Sequence, residues 1–450
     1  MAHQKDLTKG PVFLTMFLFA LPMIFGNLLQ QGYNIVDTWV VGKFIGPDAL
    51  AAVGTSYALM TFLTSILLGL CMGSGVVFSL CFGQQDEERL KNSVCTSFLL
   101  AALITVLLTL FSLWNVRFII AWLNIPEEII GITQDYLIII FWGIPAVFLY
   151  NFFGAYLKAL GNSVMPLVFL GIAAVLNIGL DLLFVAGFGW GTAGAAGATV
   201  ISQYISGFGI GTYAFAKNQV IRTAFRHWNM KKARFGEIAG YSLLTCMQQS
   251  VMNLGILMVQ GLVNSFGTVI MAAFAAAVKI DSFAYMQVQE FANGFSTFIA
   301  QNMGAKKQDR IMKGIRAAVY TAVSYCVVVS LLLWIFAKQL MLIFISPEET
   351  AILSEGIRYL HIEGTFYWGI GCLFLFYGLY RALGKPMMSV VLTVVSLGTR
   401  VVLAYMLSAI PAIGVAGIWW SVPIGWILAD LVGLFYFILK KDTLLRNCES

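Results

Sequence analysis

The run VCTSFLLAALITVLLTLFSL, residues 94–113, contains no charged residue and is long enough to span a bilayer as one helix. Similar runs fill much of the 450-residue chain, which is 60% hydrophobic and only 11% charged. A water-soluble protein of this length needs more polar surface, so the composition predicts a membrane protein. The runs lack the alternation of polar and apolar residues that is typical of a β-barrel, and we therefore expect an all-α fold.

About twelve transmembrane helices are predicted along the chain. Their approximate ranges are 12–36, 47–80, 93–114, 133–157, 165–186, 192–215, 236–263, 268–299, 315–337, 352–380, 387–408 and 414–439. If both termini are cytoplasmic, most of the 27 Lys and Arg residues lie on the inner side, as the positive-inside rule requires. The net charge of +6 thus reflects topology. We expect a multi-pass protein of the cytoplasmic (inner) membrane, with both termini inside and no nucleic-acid partner.

An internal repeat divides the sequence into two similar halves. Four pairs of segments match in the same order at nearly one offset: FGQQDEER (82–89) with MGAKKQDR (303–310), IPEE (125–128) with SPEE (346–349), KALG (158–161) with RALG (381–384), and GAAGA (194–198) with GVAGI (414–418). The repeat predicts two pseudo-symmetric six-helix lobes around a central cavity. The expected boundaries are an N-lobe at 1–215, a cytoplasmic linker at 216–235, a C-lobe at 236–440 and a cytoplasmic tail at 441–450. Such lobes are typical of alternating-access transporters, although a duplication can also build a static scaffold.

Four polar residues of the first half are predicted to lie at one depth in the membrane. They are Asp37 in helix 1, Asn177 and Asp181 one turn apart in helix 5, and Thr199 in helix 6. An ionised group inside a bilayer costs about 2.5–3.5 kcal/mol on insertion scales. We therefore expect each such residue to have a functional or structural role. Two carboxyls, an amide oxygen and a hydroxyl can hold a proton or coordinate a small cation such as Na⁺. The second half lacks this set at the equivalent positions, which favours a cation-coupling site over structural polarity.

Other polar residues within the predicted helices carry weaker signals. Asp281 and Arg400 fall near mid-depth and are expected to neutralise each other, with a gating or substrate role as the alternative. Met and aromatic side chains can form an adaptable pocket for flat organic cations, but most of them must face lipid or core. The candidates for a substrate cavity are Gln30, Asn34, Gln248, Met286, Glu290 and Tyr367.

The sequence offers no motif for catalysis. GWGTAG (189–194) fits the GxGxxG pattern but follows a transmembrane helix, so it is interpreted as a tight turn. There is no HExxH or GxSxG motif, and the seven cysteines show no paired spacing. We therefore predict no enzyme activity, no cofactor, and no metal other than a coupling cation.

Five stretches together resemble the multidrug and toxic compound extrusion (MATE) family. They are GNLLQQGYNIVDTWVVGKFIGPDALAAVG (26–54), KALGNSVMPLVFLGIAAVLNIGLDLLF (158–184), GTAGAAGAT (191–199), FSTFIAQNMGAKKQDR (295–310) and YRALGKP (380–386). The resemblance covers nearly the full length and looks closer to the DinF-type branch. It implies a twelve-helix, two-lobe antiporter that exports amphipathic, often cationic compounds in exchange for H⁺ or Na⁺.

The resemblance also implies roles for particular residues. Asp37, Asn177, Asp181 and Thr199 match the cation site of the family's N-lobe, and helix 1 is expected to kink at Pro22. We expect a monomer whose partners are the lipid bilayer and small organic substrates. A lipid-linked saccharide flippase of the same wider superfamily is the nearest alternative, and a membrane-embedded enzyme or passive channel is a second.

Overall fold

The computed structural model describes residues 5–122, 125, 127–226 and 232–446. The secondary structure of this part of the chain is entirely helical, which confirms the all-α prediction. Short irregular helices occur at Glu127–Ile129 (3₁₀) and Leu182–Gly187 (π). The α-helices are α1 (Val12–Phe44), α2 (Pro47–Gln84), α3 (Glu87–Trp114), α4 (Val116–Trp122), α5 (Ile130–Phe141), α6 (Ile144–Ala159), α7 (Val164–Asp181), α8 (Gly191–Lys217), α9 (Gln219–Arg226), α10 (Lys232–Asn264), α11 (Thr268–Gly304), α12 (Gln308–Met341), α13 (Thr350–Thr365), α14 (Tyr367–Ala382), α15 (Pro386–Ser408) and α16 (Ala416–Arg446).

The number of membrane spans agrees with the sequence analysis once two special cases are considered. Ten helical segments of the described chain are long and apolar enough to cross a membrane, or eleven if the bent pair α13 and α14 is one span. These two helices meet at an angle of 53°. α8 has 27 residues but is rich in Gly, Ala, Ser and Thr, which lowers its hydropathy. Adding α8 gives the predicted number of about twelve spans.

The chain forms two compact units, and both units combine segments from the two halves of the sequence. Unit 1 contains Met1–Asp6 and Leu21–Cys246, and unit 2 contains Leu7–Ala20 and Met247–Ser450. Two helices are therefore divided: the first part of α1 belongs to unit 2, and the first part of α10 belongs to unit 1. In α1 the division falls next to Pro22, through which the helix continues.

The lobe boundaries expected from the sequence stay predictions. The predicted linker at 216–235 includes α9 and the first residues of α10, and its residues 227–231 lie outside the described residues. α9 is amphipathic: Ile221 and Ala224 are buried in unit 1, and Arg222 and Arg226 are exposed.

Unit 1 is built around a cluster of aromatic side chains. The ring of Phe78 meets those of Phe152 and Tyr156 edge-on, with centroids 6.1 Å apart in both pairs. Phe98 packs against Phe152 at 5.2 Å. Edge-to-face aromatic pairs contribute about 0.5–1.5 kcal/mol beyond the area that they bury. Because lipid offers no hydrophobic driving force between helices, such packing holds α2, α3 and α6 together.

In unit 2, small residues and aromatic rings hold the helices close. Ser296 donates a hydrogen bond of 2.9 Å to the carbonyl of Gly378, which joins α11 to α14. The rings of Phe274 and Trp419 stack with centroids 5.5 Å apart, and Tyr359 meets Trp419 edge-on at 5.0 Å. These contacts fix α11, α13 and α16 around the buried polar groups described below.

A tight turn after α6 holds the segment that precedes α1. Gly161, in the repeat motif KALG, has φ +84°, and its carbonyl accepts a hydrogen bond of 3.1 Å from the amide of Lys5. A Cβ atom on Gly161 would lie 1.9 Å from the carbonyl oxygen of Lys5. Only glycine fits both the left-handed conformation and this close approach.

We expect Gly161→Ala to lower the thermal unfolding temperature of the detergent-solubilised protein. The substitution adds left-handed strain of about 1 kcal/mol and also forces Lys5 away. Gly191→Ala is the matched control, because Gly191 has φ +59° and nothing within 4 Å of its Cβ position. Scanning fluorimetry should show a larger shift for Gly161→Ala. Equal shifts would contradict the tight packing of Lys5.

Candidate ion-binding sites

Two carboxyl groups contact each other in unit 1. Asp37 lies in α1, and Asp181 is the last residue of α7. Asp181 is fully buried, Asp37 is partly buried, and the two side chains lie within hydrogen-bonding reach. Ionised carboxylates only accept hydrogen bonds, so this contact is stable only with a proton or cation between the groups. The structure thus brings together the two acids that the sequence analysis placed at one depth.

Asn177 and Thr199 add neutral polar groups beside this pair. Nδ2 of Asn177 donates to Oγ1 of Thr199 at 3.3 Å, which links α7 to α8. Oδ1 of Asn177 is buried and receives no hydrogen bond from the described residues. Because Asn177 precedes Asp181 by four residues, this oxygen lies on the face of α7 that carries the carboxyl. Within the predicted four-residue cluster, Asn177 and Thr199 are thus bonded to each other one helical turn from Asp181, and the role of the cluster as an ion site stays a prediction.

The helix changes its hydrogen-bonding pattern directly after Asp181. Leu182–Gly187 forms a π turn, and the amide of Phe188 bonds to the carbonyl of Leu183, five residues back, at 2.9 Å. Turns of this kind are rare and occur often at functional sites. The sequence analysis missed it because LLFVAG has the composition of an ordinary apolar helix.

Tyrosine side chains next to the acid pair were also missed. Tyr33 lies one turn before Asp37 in α1, and the buried Tyr136 of α5 lies close to both Asp37 and Asp181. Phenol groups can donate to a carboxylate. The four-residue spacing of Tyr33 and Asp37 was a usable signal, whereas the approach of Tyr136 depends on how α5 packs.

Unit 2 contains a second buried acid, Asp281, with tyrosine donors. Asp281 in α11 is 5% exposed and accepts a short hydrogen bond from Oη of Tyr367. Oη of Tyr359 donates to its other oxygen at 3.5 Å. Tyr367 was predicted to line a substrate cavity, but it is buried, and its hydroxyl is directed to Asp281. The structure thus gives Tyr367 a carboxyl partner within unit 2, and its place in a substrate cavity stays a prediction.

Glu363 in α13 completes a second pair of acids. It is 1% exposed, and its carboxyl lies close to Asp281 and Tyr359. The second half thus has an acid pair too, at positions other than those equivalent to Asp37 and Asp181. At the repeat offset of 221, Asp281 and Glu363 correspond to Met60 and Trp142. Comparing equivalent positions of the two halves could not find a pair that the halves build from different helices.

Arg400 in α15 lies near this second pair. Its charge acts on both Asp281 and Glu363, but no Arg400–Asp281 ion pair shorter than 4.0 Å forms in the described part of the chain. Nε of Arg400 is buried and has no hydrogen-bond partner among the described residues. The direct hydrogen-bond donors of Asp281 are Tyr359 and Tyr367, and its neutralisation by Arg400 stays a prediction.

The other cavity candidates have varied surroundings. Gln30 and Asn34 lie on α1 within two turns of Asp37, and Gln30 is exposed. Gln248 in α10 is buried, and Met286 in α11 is partly buried.

Glu290 belongs to a network inside unit 2. Nδ2 of Asn293 donates to Oε1 of Glu290 at 3.2 Å. The guanidinium of the buried Arg381 donates to Oδ1 of Asn293 at 3.3 Å and lies close to Glu290. Glu290 thus has polar neighbours within unit 2, and its place in a substrate cavity stays a prediction.

The two acid pairs have groups that suit the binding of small ions. No cluster of three or more His, Cys, Asp or Glu residues suited to a metal occurs in the described ranges. Each pair combines two carboxyls with neutral oxygen groups, which suits a proton or a monovalent cation.

Comparison with known proteins gives matches over nearly the whole chain. The MatE family model matches residues 22–183 and 243–406. The probable multidrug resistance protein YoeA of Bacillus subtilis is 27% identical over 98% of this chain and 96% of its own length. The multidrug export protein MepA of Staphylococcus aureus is 23% identical over 97% of this chain and 96% of its own length.

Solved structures share the fold. An outward-facing multidrug resistance MATE family transporter of the MOP superfamily has a TM-score of 0.91 at 20% identity, and 98% of both chains is covered. This likeness confirms the predicted helical architecture of a MATE transporter. The assignment to the DinF-type branch stays a prediction.

We expect Tyr367→Phe to destabilise the protein more than Tyr359→Phe. Loss of the short hydrogen bond from Tyr367 leaves a buried carboxyl with one donor fewer, at a cost of about 1–3 kcal/mol. Tyr359 is the matched control, because its bond to the same carboxyl is long at 3.5 Å. Thermal unfolding of both variants measures the difference, and an equal loss would argue against the role of Tyr367.

Proposed function

The chain belongs to the MatE family, and on this premise we propose that it is a secondary active multidrug efflux transporter. It exports amphipathic, often cationic organic compounds by alternating access, in exchange for H⁺ or Na⁺. The names of its relatives YoeA and MepA support the class of substrate. The distribution of Lys and Arg supports a cytoplasmic membrane location with both termini inside.

The contact between Asp37 and Asp181 is the observation that carries this proposal. Two unit charges about 4 Å apart repel each other by roughly 4 kcal/mol at an effective dielectric constant near 20. A bound proton or cation removes this repulsion, so ion occupancy changes the energy of the contact between α1 and α7. An ion shifts the balance between two access states only by binding them with different affinity. The acid pair supplies such a difference if only one state holds the carboxyls together.

The cluster fits either coupling ion. A proton needs only the two carboxyls. Na⁺ needs more oxygen ligands, and Oδ1 of Asn177 and Oγ1 of Thr199 lie beside the pair. We therefore keep H⁺ and Na⁺ as alternatives.

The second acid pair, Asp281 and Glu363, is a further candidate for the coupling ion. It is more deeply buried than the first pair, but it already has tyrosine donors and the nearby charge of Arg400. Because this second pair already has hydrogen-bond donors and a positive charge within the protein, we assign the principal coupling role to Asp37 and Asp181.

Asp37→Asn and Asp181→Asn are each expected to abolish coupled export while insertion and folding stay normal. An amide keeps the size of the carboxyl but cannot bind a proton or carry the charge that attracts a cation. Dye export from proteoliposomes, normalised to the reconstituted protein, measures the effect. Asp135→Asn is the control, because Asp135 is an exposed acid of the same unit. Normal export by both site variants would refute the assignment.

Separate ion gradients should distinguish antiport from passive flux. We expect dye export from proteoliposomes to follow an imposed pH gradient or an imposed Na⁺ gradient, and neither gradient should drive export by Asp37→Asn. The gradient that drives the unmodified protein identifies the coupling ion. Equal dye movement without any gradient would contradict antiport and favour a channel.

A further inference from the structure

The repeat motif at 82–89 and 303–310 takes no part in the acid pairs. Its two copies end in Arg89 and Arg310, close to the starts of α3 and α12. In the structure, each arginine binds a segment from the other half of the sequence, at or just before the start of a helix. Arg89 binds α10, and Arg310 binds the segment that leads into α1.

In unit 1, Arg89 ties the junction of α2 and α3 to the first turns of α10. Nη2 of Arg89 lies 2.5 Å from Oε1 of Glu237. The side chain of Arg89 is 19% exposed and that of Glu237 is 23% exposed. Nη1 of Arg89 donates a hydrogen bond of 2.6 Å to Oε1 of Gln84. Arg89 thus joins three helices through charge-assisted hydrogen bonds, which are stronger than neutral ones.

In unit 2, Arg310 binds backbone carbonyls in the segment before α1. Nη1 of Arg310 donates to the carbonyl of Gly10 at 2.5 Å. Nη2 donates to the carbonyls of Lys9 at 2.9 Å and Leu7 at 3.1 Å. Nε donates to Oδ1 of Asn302 at 3.1 Å. The planar guanidinium reaches these acceptors at once, which a lysine cannot do.

Close helix crossings accompany both arginines. In unit 1, a Cβ on Gly73 would lie 2.4 Å from the carbonyl oxygen of Tyr241 in α10. In unit 2, a Cβ on Gly294 would lie 2.9 Å from Cβ of Ala20 in α1. The offset of 221 relates Gly73 to Gly294, Tyr241 to Ala20, and also Arg89 to Arg310. The arginines and the helix crossings therefore stand at equivalent repeat positions, although the groups that the two arginines bind differ.

We call these arrangements clasps. The unit 1 clasp consists of Gly73 and Arg89 with Tyr241 and Glu237, and the unit 2 clasp consists of Gly294 and Arg310 with Ala20 and residues 7–10. Each clasp holds a segment whose helix continues into the other unit, because α1 is divided after Ala20 and α10 after Cys246.

We propose that the two clasps close the cytoplasmic end of the transport pathway and that Arg89 and Arg310 are its gate residues. Opening to the cytoplasm then requires each clasp to release the first part of α1 or α10. This inference rests on the proposed alternating access and adds the residues that control one of its two states.

A reversible cross-link tests whether the unit 1 clasp must open. Oγ of Ser74 and Oγ of Ser242 are 2.9 Å apart and join α2 to α10 beside Gly73. We expect the oxidised Ser74→Cys/Ser242→Cys protein to lose dye export by about tenfold or more, since a conformational step limits turnover. Reduction should restore export, and each single variant should export normally.

A second cross-link is the matched control. Ser93→Cys can pair with the native Cys81, whose Sγ lies 3.9 Å from Oγ of Ser93. This bond joins α2 to α3, which both belong wholly to unit 1, so it should leave export unchanged. Mass spectrometry of the linked peptides verifies both bonds. Export at the normal rate by the protein with the bond between positions 74 and 242 would overturn the proposal.

Hydrogen exchange of the full chain in lipid nanodiscs tests the arginines without a transport assay. We expect Glu237→Gln to speed exchange in residues 237–246 about tenfold, and Arg310→Lys to do the same in 7–20. Arg89→Lys keeps the ion pair and should change little. Unchanged exchange, or faster exchange throughout the chain with a lower unfolding temperature, would contradict a gate. If the unmodified protein exports no dye but exchange changes as expected, the proposed function fails and the clasps stand.

Discussion

A carboxyl group inside a bilayer needs a proton or a cationic partner, and this requirement organises the polar groups of both units. Asp37 and Asp181 in unit 1, and Asp281 and Glu363 in unit 2, each bring two carboxyls into contact. The two pairs meet the requirement differently. The second pair has tyrosine donors and a nearby arginine, whereas the two oxygens of Asp181 receive no hydrogen bond from any described donor. The first pair therefore has fewer hydrogen-bond donors than the second among the described residues, although Oε1 of Glu363 also receives no hydrogen bond there.

The residues of the first pair could be predicted because their depth follows from counting along single helices. Asn177 and Asp181 share a face by their four-residue spacing, and the ends of helices 1, 5 and 6 set one common depth. The second pair could not be found in this way, because Asp281 and Glu363 meet only through the rotation of α11 and α13 about their axes. Their repeat-equivalent positions hold Met60 and Trp142, so the comparison of halves gave no signal.

The fold, too, could be predicted from the sequence only where it depends on local patterns. Apolar runs and the repeat predicted an all-helical chain of two related halves, since bilayer thickness and duplication act on local sequence. They did not predict that the first parts of α1 and α10 lie in the opposite units, because that depends on packing between distant segments. A signal was nevertheless present. Gly73 and Gly294 stand at matching repeat positions, and both allow a backbone approach that any side chain would block.

The two clasps are alike in form, but only one of them is connected to an acid pair through its helix. α1 runs without interruption from the segment bound by Arg310 to Asp37, 27 residues beyond Gly10 and about 40 Å along a helix. Pro22 lies between them, where its missing amide makes bending less costly. The equivalent positions of α10 are Leu243 and Met258, which supply neither a bend nor a carboxyl. Of the two divided helices, α1 is therefore the one that carries both a clasped segment and a member of an acid pair.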